Sequence, residues 1–126
     1  MSLDLTKKEW KLVRESVELR RFAIHDAKQA CLANKQTWPE KHDEDIRLAW
    51  ELDAKLLQAS MPAHQDQVFN QEERDFINNA MSSRYVVRQA IRDLSLATDK
   101  EKSNKEVRDI EKVIAKLAQA WRQEGA

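Results

Sequence analysis

The sequence predicts an all-α protein, an antiparallel four-helix bundle whose helices are of roughly equal length. Three observations carry this expectation. A helix-start signature, a short polar residue with Glu three positions later, recurs at Thr6–Glu9, Thr37–Glu40, Asn70–Glu73 and Ser103–Glu106. In each pair the two side chains can satisfy backbone N–H groups that a helix beginning leaves without partners. Gly occurs once, at Gly125, and Pro twice, so turns that demand Gly are almost absent and β-rich folds are disfavoured. Finally, apolar residues follow each signature at helical spacing.

The first helix is expected from Lys7 to about Asn34. Its core stripe reads Trp10, Val13, Val17, Ile24, Ala27 and Cys31, broadening into Leu12, Leu19, Ala23 and Ala30, with Phe22 near the edge. The second helix is expected from about Trp38, with Pro39 in its first turn where a missing N–H costs nothing. It should stop before Pro62, because the residue preceding a proline is pushed out of the α region. One face carries Leu48, Ala49, Leu52, Leu56 and Ala59, and a second carries Ile46, Trp50 and Leu57. The third helix should run from Gln71 to about Ala97, with Phe76, Ala80, Val87, Ile91 and Leu94 inward and Ile77, Met81, Tyr85 and Leu96 drifting outward. The fourth, from about Asn104 to Gln123, has a seam of Val107, Ile110, Ile114, Leu117 and Trp121. A spacing near 33 residues also occurs in helical solenoids, but there each period holds two helices and here it holds one.

One domain over residues 1–126 is expected, long enough to form a core without disulfides or metal. Charged residues make up 35% of the chain, yet the formal net charge is zero, which removes the simplest argument for nonspecific nucleic-acid or membrane binding. The lone Cys31 falls on an apolar stripe and reads as a small core residue. There is no secretory leader pattern and no apolar run of membrane-spanning length, so the expected location is cytoplasmic. Charge is divided between helices. Residues 1–35 carry eight Lys or Arg against five acids, and residues 38–60 carry three against six, which favours pairing of the first two helices.

A bundle helix needs a single apolar stripe, so the second stripe of the second helix asks for a further partner. Ile46, Trp50 and Leu57, together with Met81, Tyr85, Arg88 and Arg92 on the third helix, are the candidate interface residues. Aromatic, Met and Arg side chains are what interface cores favour over general surface. Arg20, inside the apolar arc of the first helix, and Asp53, between the stripes of the second, are expected as a buried polar pair at mid-height.

Glu15–Glu18 and Glu40–Asp43 form E-x-x-E and E-x-x-D pairs whose spacing resembles that of all-α nucleotide pyrophosphohydrolases, which implies carboxylates on two helices holding Mg²⁺. Arg20 or Arg21 with His25 resembles the R-x(4–6)-H pattern of HEPN-type ribonucleases, which implies RNA cleavage. No His has Glu three residues before it, which excludes the di-metal carboxylate bundles built on paired E-x-x-H motifs. No catalytic residue, metal ligand or cofactor is expected. The sequence therefore reads as a small binding or regulatory protein that acts through protein–protein contact, with homodimerisation a further expectation. A nucleotide- or RNA-processing enzyme and a nucleic-acid-binding protein, through Arg84, Arg88 and Arg92, are the alternatives.

Overall fold

The computed structural model describes residues 5–59, 68–94 and 100–124. They form α1 (Lys7–Ala33), α2 (Glu40–Ala59), α3 (Gln71–Asp93) and α4 (Lys100–Glu124), with no strand among them. This is the four-helix bundle expected from the sequence. The expected stop at Pro62 and the expected last turn of the third helix at Leu96 and Ala97 lie outside the described residues.

Two of the four start signatures work as capping boxes. The Glu9 N–H donates to the Thr6 hydroxyl at 3.1 Å while the Thr6 N–H donates to Glu9 Oε1 at 3.0 Å. Asn70 and Glu73 repeat the arrangement at 2.9 Å in both directions. The other two signatures are displaced. Pro39 holds Trp38 out of the α region, so α2 begins at Glu40 and the Thr37–Glu40 pair does not cap it. Ser103 lies inside α4, because Lys100, Glu101 and Lys102 favour helix and carry the first turn past it. α1 ends on Asn34 with Lys35 in the left-handed region at φ 55°. The Gln36 N–H donates to the Cys31 carbonyl and the Lys35 N–H to that of Leu32, the paired bonds of a Schellman motif.

α1 and α2 form one antiparallel hairpin, with Lys28 paired to Asp43 and Arg21 set over Trp50. α3 and α4 form the other, joined by Tyr85 to Glu111 and Arg88 to Glu106. The hairpins meet mainly through α1 and α3, while α2 and α4 make no close backbone approach. Both capping glutamates also tie helices together. Lys116 of α4 reaches Glu9 at 2.7 Å, and Lys55 of α2 reaches Glu73 at 3.0 Å.

One buried cluster joins all four helices, from Trp10, Val13 and Val17 through Leu52 and Leu56 to Ile77, Met81, Ile110 and Leu117. Each large side chain removed from water there contributes about 1.5–3 kcal/mol. α3 is turned relative to the sequence expectation: Ile77 and Met81 are core, whereas Val87 and Leu94 are exposed at 56% and 68%. In α1 no residue after Arg21 is buried; Ile24 and Cys31 are half-covered, and Ala23, Ala27 and Ala30 are exposed. The buried residues of α2 begin only at Ala49. The linked ends of α1 and α2 thus carry partly covered or exposed side chains, held together by Lys28–Asp43 and by Trp38, whose indole N–H donates to Asp43 at 3.0 Å.

Candidate interaction surface

Positions 46, 50, 53 and 57 fall on one side of α2, the flank between its buried stripe of Ala49, Leu52 and Leu56 and its fully solvated side, and this flank borders α1. Ile46 and Asp53 are half-buried there, while Trp50 and Leu57 are exposed at 58% and 42%. The antiparallel register sets Arg21 of α1 opposite Trp50. Its guanidinium carbon lies 3.6 Å from the centroid of the indole and 5.0 Å from that of Phe22. Phe22 is itself half exposed, and Arg21 is only 6% exposed. A guanidinium is weakly hydrated and planar, which suits it to an aromatic face better than an ammonium. One terminal nitrogen approaches Glu18 at 3.7 Å, and neither Nε nor the other terminal nitrogen has a hydrogen-bond partner. The result is two aromatic rings fixed at the surface by a cation held against both.

The expected Arg20–Asp53 pair is not the buried pair. Arg20 is exposed, no ion pair joins it to Asp53, and the covered position belongs to Arg21. One residue turns a helical side chain by 100°, enough to carry Arg20 to the other edge of the α1–α2 seam. Phe22, which completes the aromatic group, was legible only as an apolar side chain near the edge of the α1 stripe.

The candidate residues on α3 do not join this surface. Met81 is fully buried in the core. Tyr85 is half-buried against α4 and donates its hydroxyl to Glu111 at 2.7 Å, a bond that raises its pKa above the ordinary value. Arg88 pairs with Glu106 at 3.3 Å and Arg92 with its neighbour Asp93 at 3.0 Å. Arg84 reaches Glu15 of α1 at 3.4 Å, so every arginine of the expected phosphate-binding stripe faces a carboxylate.

The two acidic pairs do not converge. Asp43 is bonded to Lys28 and Trp38, which holds its carboxyl below the usual range, the Lys28 bond contributing most. Glu15 pairs with Arg84, and Lys28 lies thirteen positions further along α1, about 20 Å along the axis. Among the described residues no group of three or more His, Cys, Asp or Glu side chains is arranged to hold a metal ion. His25 and Arg20 are both exposed, while Arg21 lies beneath Trp50, so the Arg–His pattern forms no enclosed site. Among the described residues no helix is long and apolar enough to cross a membrane. Comparison with protein-family models, curated proteins and solved structures found no match to this chain.

Proposed function

We propose that this protein is a small helical binding protein that acts through protein–protein contact, using the outer face of the α1–α2 hairpin. The observation that supports this reading is the exposed Trp50, held over the buried Arg21 guanidinium with Phe22 beside it. Binding hot spots are enriched in Trp and Arg, and rigid aromatics lose little entropy when a partner covers them. Leu57 extends the same face along α2. A second copy of the chain is the simplest partner to test, because sedimentation of the purified protein answers it at once.

For a different protein, a photo-crosslinking residue in place of Phe22 tests the face, with the exposed Gln119 of α4 as the control position. The reading requires an adduct formed from position 22 and not from position 119, with an affinity for the purified partner that Trp50→Ala reduces. Equal adducts from both positions, or an affinity indifferent to Trp50, would refute it.

A further inference from the structure

Taking the α1–α2 face that carries Trp50 as the interaction surface proposed above, we infer that its occupant is a second copy of this chain. The contact pairs Arg14 of each copy with Asp53 of the other.

The register of α1 against α2 places these two residues. Arg21 lies over Trp50 and Lys28 pairs with Asp43, so each step along α1 matches a step back along α2. Seven residues from Arg21 and seven from Trp50, Arg14 therefore stands opposite Leu57, about two turns from the aromatic group. Asp53 lies between Trp50 and Leu57 on the same flank. Both residues are half-buried, and neither has a hydrogen-bond or ion-pair partner among the described residues. The antiparallel arrangement keeps them apart. Side chains lean toward the N-terminus of their own helix, so Arg14 leans away from the level of Asp53 while Asp53 leans toward that of Trp50. A partly desolvated charge without a partner is costly, and a contact that supplies the missing group relieves that cost.

One of the two lacks an acceptor and the other lacks a donor, which is the condition for a self-complementary surface. In a two-fold contact residue i meets residue j twice, so two copies satisfy both residues at once. The charge of the face is balanced as well, with Arg14 and Arg21 against Glu18 and Asp53. A strongly acidic or strongly basic partner would meet two like charges there and be disfavoured. Across the whole chain 22 Lys or Arg stand against 22 Asp or Glu, so no long-range repulsion opposes self-association. The available area also fits. α2 is 20 residues long, so two helices side by side offer roughly 30 Å by 20 Å, about 600 Å² from each copy. Specific interfaces begin near that size, which suits a dimer with a dissociation constant on the order of 1–100 μM.

Sedimentation equilibrium of the whole chain over a concentration series tests this, with Arg14→Asp and Asp53→Arg as variants checked for folding by circular dichroism. The wild type should dimerise. Each variant alone places like charges against each other twice across the contact and should associate about tenfold or more weakly. Mixing the two variants makes both pairs opposite in charge again and should recover the wild-type affinity to within about threefold. A merely structural role for either residue cannot produce that recovery. Should a variant not fold, a photo-crosslinking residue at position 22 of the otherwise unchanged chain decides, since it must link to α1 or α2 of a second copy. The inference is overturned by a wild type that stays monomeric to about 1 mM, by full association in both folded variants, by no recovery on mixing, or by adducts to α3 or α4 of the second copy. A monomeric chain that binds a different protein with Trp50-dependent affinity also overturns it, while leaving the reading of the face standing.

Discussion

Replacing Arg21 by Met separates two opposing contributions at the surface aromatic group. The stack of the guanidinium on Trp50 at 3.6 Å is desolvated, because Arg21 is 6% exposed, so it contributes about 1–2 kcal/mol. The 3.7 Å contact to the half-exposed Glu18 adds roughly 0.5 kcal/mol at most. Against these stand two buried guanidinium nitrogens without a partner, each costing about 1–3 kcal/mol. Met has a similar reach and keeps the packing of the stem while removing the charge and the donors. Arg21→Met is therefore expected to match or exceed the wild-type stability, within about 1 kcal/mol on the low side. Arg21→Ala also loses the stem between Trp50 and Phe22 and should be less stable than the Met variant by about 2 kcal/mol. Urea unfolding followed by circular dichroism reads both. If Arg21→Met loses more than about 2 kcal/mol, the guanidinium is a net stabiliser and the reasoning fails.

Other consequences are as direct. Lys35→Gly relieves a left-handed residue at the end of α1 and should raise stability by roughly 1 kcal/mol in a thermal or urea melt. Burial pushes the Glu9 carboxyl up, but hydrogen bonds from Lys116 and Thr6 outweigh it and leave the pKa below its ordinary 4.5. The folded state then holds fewer protons there than the unfolded chain. Glu9 thus stabilises the fold above about pH 4.5, and that stability is lost as the pH falls through the lower folded-state value. Urea melts at a series of pH values should show a shallower acid loss in Lys116→Met than in the wild type. Met81→Ala should cost about 2–5 kcal/mol, while Val87→Ala should stay within about 0.5 kcal/mol, typical of surface changes. Comparable losses at both positions would contradict the orientation of α3.

Thr6–Glu9 and Asn70–Glu73 were readable as caps because each signature stands immediately before a helix with nothing competing. At Thr37–Glu40 a proline overrides the signature, and at Ser103–Glu106 the helix-forming Lys100–Lys102 segment does. The face of α3 was misread for a different reason. Ala80, Val87 and Leu94 recur every seven residues, and a straight helix drifts about 20° off such a stripe in each heptad. The covered side instead follows Phe76, Ile77, Ala80 and Met81 into the half-buried Arg84 and Arg88, whose charge disguises them as solvent-facing positions. The Trp50 face was visible as a second apolar stripe. Its anchor was not, since Arg20 and Arg21 differ by one step of the helix and only the partner helix decides which is covered.

The most direct test of the interaction reading is the affinity of the purified partner, or of the chain for itself, measured for the wild type and for Trp50→Ala. An anchor residue of this kind contributes about 2 kcal/mol or more, so the account predicts an affinity loss of roughly thirtyfold, with helix content preserved and stability lowered by no more than the about 1–2 kcal/mol of the Arg21 stack. Unchanged affinity in a folded Trp50→Ala, or a Trp50→Ala chain that unfolds as a Leu52→Ala chain would, contradicts it.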